Sequence, residues 1–288
     1  MKVAVCLVAA LAAGSALEAE DSRTRQAPAY SEASIVNAAS NLPGALAPNT
    51  FATIYGTGLA YSTRAISPED IRSGRLPTEL AGVRVLVDGR LAIMYYASPG
   101  QVNLLIPSTI RRPEAELYVV VDGKAGPAVN LKLQEAAPAL FQWEGNTAVA
   151  TRPDWTPVTL AAPARPGDTV ILFATGLGET IPEPLWGQTP PAAAPLKRRT
   201  EFTVMLAGEV VPSDRVLYAG AAPGFAGLYQ INLLLPEKLA DDPEIRIALG
   251  GQVSPAGLRL PVRTATSPQP HHGGHSLTPV ARSAARMP

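Results

Sequence analysis

The sequence predicts an all-β protein made of two tandem antiparallel sandwiches, and the main observation behind this prediction is an internal repeat. Residues 101–107 (QVNLLIP) return as residues 230–236 (QINLLLP), shifted by 129 positions. Upstream, residues 54–59 (IYGTGL) return as residues 172–177 (LFATGL), shifted by 118 positions. Because the landmarks keep their order while the shift drifts, we interpret them as two copies of one domain that differ in loop length.

Short apolar segments separated by turn residues predict the strands of each copy. Asp-Gly at residues 88–89 and 122–123 predicts tight hairpin turns, and the second copy has Ala-Gly and Gly-Gly at the corresponding places. The 29 prolines and 24 glycines agree with many turns between short strands. Six or seven such strands per copy favour a two-sheet sandwich. The predicted strands are 50–55, 83–87, 91–96, 102–106, 117–121 and 128–133, then 169–174, 202–206, 216–218, 229–235, 245–249 and 258–262.

The motifs resemble a known group of domains. The order GTGL, VDG, YAS and QVNLLIP in residues 56–107 resembles the immunoglobulin-like IPT/TIG domain. A longer set is similar to a domain that recurs at the C-terminus of secreted proteins of Acidobacteria such as Solibacter. This resemblance covers about residues 34–263 and implies an immunoglobulin-like fold and an exported protein, without an activity to transfer. Its motifs are NAAS at 37–40, LPTELAGV at 76–83, AAPALF at 136–141, ATGLG at 174–178 and APGFAGLYQ at 222–230.

The two ends of the chain differ from its middle. Lys2, the apolar run 3–13 and the small residues 14–16 predict a signal peptide over residues 1–16 and an exported protein. The run is shorter than the roughly 20 apolar residues of a membrane span, so we expect none. From composition we further expect a flexible segment at 17–33, sandwiches at 34–136 and 137–263, and a disordered tail at 264–288.

The positions of cysteine and histidine restrict the possible chemistry. Cys6 lies in the predicted signal peptide, and His271, His272 and His275 lie in the predicted tail. Residues 17–270 therefore cannot form a Ser-His-Asp or Cys-His site or a histidine-liganded zinc site. We expect no catalytic residue, no cofactor and no bound metal. The formal net charge of zero predicts no basic surface for nucleic acid.

Carboxylates are the remaining candidates for chemistry. Glu179 with Glu183, and Asp241 with Asp242, offer oxygen ligands for calcium, but neither pair has the alternating spacing of a calcium loop. A polysaccharide hydrolase would need two carboxylates facing each other in a cleft. We expect no such pair in a concave pocket.

Two polar pairs recur within the repeated strands. Gln101 and Asn103, like Gln230 and Asn232, are two residues apart and so face the same side of a strand. One interpretation is that these side chains bind a ligand. Recurrence in both copies favours a structural one, in which the amides satisfy backbone groups of an adjoining loop.

The three tryptophans, Trp143, Trp155 and Trp186, lie outside the repeated strands, in the junction between the copies or in the long loop before residue 202. They either pack, together with Phe141, in the seam between the two copies or form an exposed surface for a ligand. We predict an exported protein that acts by contact, with an extracellular protein, a glycan or the cell envelope as partner. A carboxylate-dependent polysaccharide hydrolase and a structural spacer are the alternatives, and the sequence does not determine the oligomeric state.

Overall fold

The computed structural model describes residues 27–143 and 145–264 and confirms an all-β protein of two immunoglobulin-like antiparallel sandwiches in tandem. The predicted signal peptide and the predicted tail after residue 264 lie outside the described residues. Within the described part, no helix has the length and apolar character needed to cross a membrane. Its helical content consists of short 3-10 turns at Glu32–Ser34, Pro68–Asp70, Arg199–Glu201 and Ser213–Arg215.

The first sandwich pairs a six-stranded sheet with a five-stranded sheet. The six-stranded sheet has the order β2-β1-β3-β8-β7-β4, and the other has the order β10-β9-β5-β6 with β11 also on β9. The strands are β1 (Ile35–Asn37), β2 (Leu42–Pro43), β3 (Phe51–Tyr55), β4 (Arg64–Ala65), β5 (Val83–Val87), β6 (Arg90–Leu91), β7 (Ile93–Ser98), β8 (Gln101–Leu105), β9 (Glu114–Val121), β10 (Lys124–Ala125) and β11 (Val129–Lys132).

The second sandwich repeats this arrangement. Its larger sheet has the order β16-β15-β17-β22-β21-β18 with β12 on β17, its smaller sheet has the order β20-β19-β23-β24, and β13 pairs β14. The strands are β12 (Ala139–Leu140), β13 (Gln142–Trp143), β14 (Thr147–Ala148), β15 (Ala150–Thr151), β16 (Pro157–Val158), β17 (Thr169–Thr175), β18 (Ala194–Pro195), β19 (Phe202–Leu206), β20 (Glu209–Val210), β21 (Val216–Ala221), β22 (Tyr229–Leu234), β23 (Ile245–Leu249) and β24 (Gln252–Val253).

The strand register shows that the two sandwiches are copies of one topology. Tyr55 lies opposite Gln101 in the first, and Phe173 lies opposite Gln230 in the second, as the two sequence shifts require. The ladder between β7 and β8 shifts its register before Tyr96, and the ladder between β21 and β22 does so at the equivalent place. The predicted repeat is therefore confirmed to the level of a single bulge.

The hairpin turns explain why Asp88 and Asp122 occur where they do. Asp88 has φ +51° and Gly89 has φ +73°, and Asp122 and Gly123 also have positive φ. A two-residue hairpin turn with positive φ at both positions favours Asp or Asn followed by Gly. In the second sandwich, Ala207–Gly208 and Gly250–Gly251 adopt the same conformation. These two aspartates accordingly have a conformational role.

Each sandwich has its own apolar core, and a third cluster joins the two cores. In the third cluster, Phe51 and Tyr95 of the first sandwich pack with Phe141 and Phe173 of the second. The Phe51 ring lies 4.9 Å from Tyr95 and 6.1 Å from Phe141 between centroids, both edge to face. Such aromatic pairs contribute roughly 0.5–1.5 kcal/mol beyond their buried area. The seam is therefore an additional core rather than a loose contact.

Hydrogen bonds also cross the seam. The Phe51 backbone N–H donates to Thr175 Oγ1 at 2.9 Å, and that hydroxyl donates to Gly227 O at 3.1 Å. Tyr95 Oη donates to Ala226 O at 3.1 Å. Because buried polar groups that lose their partners are costly, these bonds disfavour other orientations of the two sandwiches.

The segment before β1 differs from the sequence prediction. We expected residues 17–33 to be flexible, but the described part, 27–33, binds the first sandwich. Ala29 and Thr57 exchange backbone hydrogen bonds of 2.9 and 3.0 Å, and Tyr30 Oη donates to Pro127 O at 2.6 Å. Ala139 pairs with Thr175 in the same way in the second sandwich. The contact of Ala29 is a single bridge without an apolar segment of its own in the sequence, and for that reason it escaped prediction.

Candidate binding cleft between the sandwiches

The two sandwiches differ most in the connections around one edge strand of the larger sheet. From β3 to β4 the first sandwich uses residues 56–63, whereas from β17 to β18 the second uses residues 176–193. From β4 to β5 the first uses residues 66–82, whereas from β18 to β19 the second uses residues 196–201. Each sandwich thus has one long connection whose equivalent in the other sandwich is short.

The two long connections meet across the seam. Leu76 N donates to Gly187 O at 2.8 Å, and Arg75 forms an antiparallel bridge with Gln188. Trp186, which precedes Gly187, packs on the aromatic seam cluster. The connection 176–193 is therefore held by both sandwiches, although it belongs to the second.

A cleft of about 730 Å³ lies beneath this connection, between the sandwiches. Its apolar part includes Leu105 and Ile110 of the first sandwich and Leu177 and Trp186 of the second. Small-molecule sites in proteins are concave, largely apolar and typically about 300–1,000 Å³ in volume. The cleft thus has the size and lining of a ligand site, and both copies contribute to it.

The rim of the cleft carries a chain of ion pairs. Arg111 of the first sandwich lies 3.2 Å from Glu179 and 3.5 Å from Glu183 of the second, and Lys197 lies 2.6 Å from Glu179. On the same rim, Arg198 contacts Glu135 at 2.7 Å. These side chains remain partly exposed, so each pair contributes little to stability while presenting donors and acceptors to the cleft.

Glu179 stays ionised at the rim. The hydrogen bond from Lys197 lowers the pKa of Glu179, and the charges of Lys197 and Arg111 act in the same direction, outweighing the opposing effect of burial. A general acid must hold a proton near neutral pH, which this carboxylate does not do. Its chemical role in the cleft is that of a hydrogen-bond acceptor.

The carboxylate geometry corrects one expectation. We expected no pair of acids to share a concave pocket, yet Glu179 and Glu183 both line this cleft. One oxygen of each lies within 3.5 Å of the same Arg111 nitrogen. They are therefore less than about 7 Å apart, which overlaps the spacing of hydrolase carboxylates. The spacing of Glu179 and Glu183 in the sequence could not show that Arg111 of the other copy lies between them.

The other acidic pair has a structural position. Asp241 Oδ1 accepts hydrogen bonds from Thr264 N at 2.8 Å and Thr264 Oγ1 at 3.0 Å. Asp242 Oδ1 accepts from Val262 N at 3.2 Å and forms an ion pair with Arg263. Both aspartates thus hold the C-terminal segment of the second sandwich. Within residues 27–143 and 145–264, no group of three or more His, Cys, Asp or Glu side chains could hold a metal ion.

The tryptophans do not form one surface. Trp186 lines the cleft and also packs the seam, so it belongs to both predicted categories. Trp143 packs against the seam cluster, and its buried Nε1 has no hydrogen-bond partner in the described part of the chain. Trp155 is 47% exposed and lies outside the cleft lining. Of the three, Trp186 is the one placed to contact a ligand in the cleft.

The Gln-x-Asn pairs are satisfied internally. Gln101 Nε2 donates to Asn103 Oδ1 at 2.8 Å, and Gln230 Nε2 donates to Asn232 Oδ1 at the same distance. Asn103 Oδ1 also accepts from Thr53 Oγ1 at 3.1 Å. We expected these amides to bind the backbone of an adjoining loop. The hydrogen bond within each pair is instead the feature that recurs in both copies.

Comparison with known proteins gives limited similarity. No protein-family model and no curated protein matches this chain. A surface glycan-binding protein from Prevotella bryantii is 11% identical, with a TM-score of 0.26 over 82% of this chain and 42% of that one. A mixed-linkage glucan locus protein from Bacteroides ovatus, solved with a heptasaccharide, is 11% identical, with a TM-score of 0.30 over 76% and 43%. The chain spans less than half the length of these two structures.

A third structure, the tandem Ig repeats of Dlar, is 13% identical, with a TM-score of 0.21 over 83% of this chain and 96% of that one. Identities and TM-scores this low carry no argument about function.

Proposed function

We propose that this protein is an exported binding module that holds a glycan segment in the cleft between its two sandwiches without altering it. The observation that carries the proposal is the composition of the cleft. Trp186 and apolar side chains line its interior, and a chain of ion-paired side chains forms its rim. The predicted signal peptide supports export.

A sugar ring matches both parts of this lining. Its C–H faces are apolar and pack against aromatic side chains such as Trp186. Its hydroxyl groups each donate and accept hydrogen bonds, and so require donors and acceptors side by side. Arg111 and Lys197 supply donors next to the acceptors Glu179 and Glu183.

The seam favours binding because it fixes the cleft before a ligand arrives. Aromatic packing and hydrogen bonds such as Phe51 N to Thr175 Oγ1 hold the two sandwiches together. A site that needs no ordering loses less free energy when it binds. A protein that acted only as a spacer would not require a cleft lined by both copies.

We further propose that the bound glycan is not hydrolysed. Glycoside hydrolysis needs one carboxylic acid that keeps its proton beside a second, ionised carboxylate. The pKa of Glu179 is lowered instead, by Lys197 first, and Glu183 is paired with the same Arg111. A measurable release of reducing ends that is lost in Glu179→Gln would replace this proposal with the hydrolase alternative.

Calorimetric titration with a panel of soluble glycan oligosaccharides tests the binding proposal. Trp186→Ala removes the stacking surface, and we expect at least a tenfold loss of affinity, about 1.4 kcal/mol. Trp155→Ala is the matched control, because Trp155 is 47% exposed and lies outside the cleft.

Because Trp186 also packs the seam, the thermal unfolding of each variant must show that the fold is retained. Two results would contradict the proposal: no binding by the wild-type protein to any glycan of the panel, or equal losses in the two tryptophan variants.

A further inference from the structure

Every charged side chain that lines the cleft already has a partner of opposite charge. Arg111 contacts Glu179 and Glu183, and Lys197 contacts Glu179. The remaining lining cations have partners as well: Arg112 lies 3.6 Å from Asp88, and Arg198 pairs with Glu135 and Glu201. The charges of the cleft are therefore nearly balanced without a ligand.

This balance is unfavourable for an anionic ligand. A carboxylate that entered the cleft to contact Arg111 would also come close to Glu179 and Glu183, which both lie beside the same Arg111 nitrogen. Like charges placed together in a binding site cost free energy and exclude partners. Recognition of a carboxylate normally uses a free arginine fork that makes two parallel hydrogen bonds. Arg111 does not offer such a fork, because its Nη2 contacts both glutamates and its Nη1 donates to Ser108 O.

The same pairs suit uncharged hydroxyl groups. The Arg111 and Glu183 side chains are 52% and 46% exposed despite their contact, so each keeps hydrogen-bonding capacity for a ligand. A hydroxyl can accept from the guanidinium and donate to the carboxylate, which leaves the ion pair intact. No charge then has to be displaced.

We infer that the cleft selects neutral glycans over glycans that carry carboxylates, and that Glu183 sets this selectivity by occupying Arg111. The inference rests on the proposed function, because it names the ligand class of the same site. Glu183 is the sharper choice for a test, since its one ion pair in the described part of the chain is with Arg111, whereas Glu179 also holds Lys197.

The first experiment compares ligands on the wild-type protein. Neutral gluco-, manno- and xylo-oligosaccharides are titrated alongside oligogalacturonate, a polyanion of similar ring size. We expect oligogalacturonate to bind at least tenfold more weakly than the best neutral ligand. Added salt should leave neutral binding unchanged within about twofold, since only interactions between charges are screened.

The second experiment uses Glu183→Gln, which keeps the size of the side chain and removes its charge. We expect the affinity for oligogalacturonate to rise at least threefold, and the gain to disappear at high salt. Glu209→Gln is the matched control, because Glu209 lies exposed on β20 outside the cleft. This control should change neither the affinity for neutral oligosaccharides nor the affinity for oligogalacturonate.

The outcomes separate the inference from the proposed function. If oligogalacturonate binds the wild-type protein more tightly than the neutral sugars and Trp186→Ala weakens it, the cleft binds glycans but the inference is wrong. An unchanged oligogalacturonate affinity in Glu183→Gln also overturns the role of Glu183. If no glycan of either class binds, both the proposed function and the inference are wrong.

Discussion

The two sandwiches share their strand frame and differ in what surrounds it. Tyr95 of the first sandwich is buried against the second, whereas Leu217, at the equivalent position of the second, is 56% exposed. Conversely, Tyr229 of the second sandwich accepts a hydrogen bond from Asn49 of the first, whereas the first sandwich has Gly100 at the equivalent position. The comparison shows how a duplicated domain becomes asymmetric. The repeated strands keep the fold, and the residues that differ between copies build the seam and the cleft.

The long connections show the same asymmetry. Residues 66–82 in the first sandwich and 176–193 in the second have short counterparts, and they meet through Leu76 and Gly187. Loops placed on a rigid scaffold are where binding residues concentrate. The seam therefore both fixes the orientation of the two sandwiches and supplies the walls of the cleft.

The largest expected effect is at Gly176. Its φ is +76°, and a Cβ there would lie 2.0 Å from Ala137 O, a backbone atom at the seam. We expect Gly176→Ala to lower the free energy of unfolding by more than about 3 kcal/mol. The new Cβ would force the backbone to move, and alanine would also be strained at a positive φ. Urea denaturation measures this change.

Gly208→Ala provides the matched control for that substitution. Gly208 has φ +85°, but a Cβ added there would meet no atom within 4 Å. Gly208→Ala should therefore lower the free energy of unfolding only through the strain of a left-handed backbone conformation, by about 1–2 kcal/mol. Equal losses in the two variants would mean that the close approach at the seam is unimportant for stability.

A smaller effect is expected at the Tyr229 hydroxyl. Tyr229 is 1% exposed, donates to Gly178 O, and accepts from Asn49 Nδ2 of the first sandwich at 3.1 Å. Tyr229→Phe leaves these partners unsatisfied and should cost about 1–3 kcal/mol. Tyr118→Phe, at a half-buried position on β9, should change stability by less than about 0.5 kcal/mol. Similar losses in both variants would mean that the seam hydroxyl contributes nothing particular to stability.

The smallest effect concerns Glu179 and pH. The folded state lowers the pKa of Glu179 from 4.5, mainly through Lys197, so this carboxylate stabilises the fold above that pH and the contribution is lost as the pH falls through the lowered value. For a partly exposed pair we expect less than about 1 kcal/mol. The difference in unfolding free energy between wild type and Glu179→Gln should therefore shrink below pH 4.5. A difference that grows on acidification would contradict the pairing.

The sequence predicted the fold well because its main signals are local. Short apolar segments, Asp-Gly turns and the QVNLLIP motif each span only a few residues, and the structure preserves the register of the repeated motif. The pairing of Ala29 with the first sandwich was missed because it consists of a single bridge to Thr57. Local patterns carry no information about so short a contact.

The cleft was harder to predict because its residues are far apart in the chain. Arg111 was not singled out by any motif, yet it links Glu179 and Glu183 across the seam. One available signal was the length of residues 176–193 compared with the shorter connection in the first copy. Trp186 and both glutamates lie within that extra length, so a comparison of loop lengths between the copies would have located part of the site.

Hydrogen–deuterium exchange with and without a saturating neutral oligosaccharide tests the central claim most directly. Because both sandwiches line the cleft, we predict slower exchange in residues 108–113 of the first and residues 177–190 of the second. The hairpin turns at residues 88–89 and 207–208, outside the cleft lining, should be unchanged. Protection confined to one sandwich, or centred on the exposed loop around Trp155, would contradict a glycan site built by the two copies together.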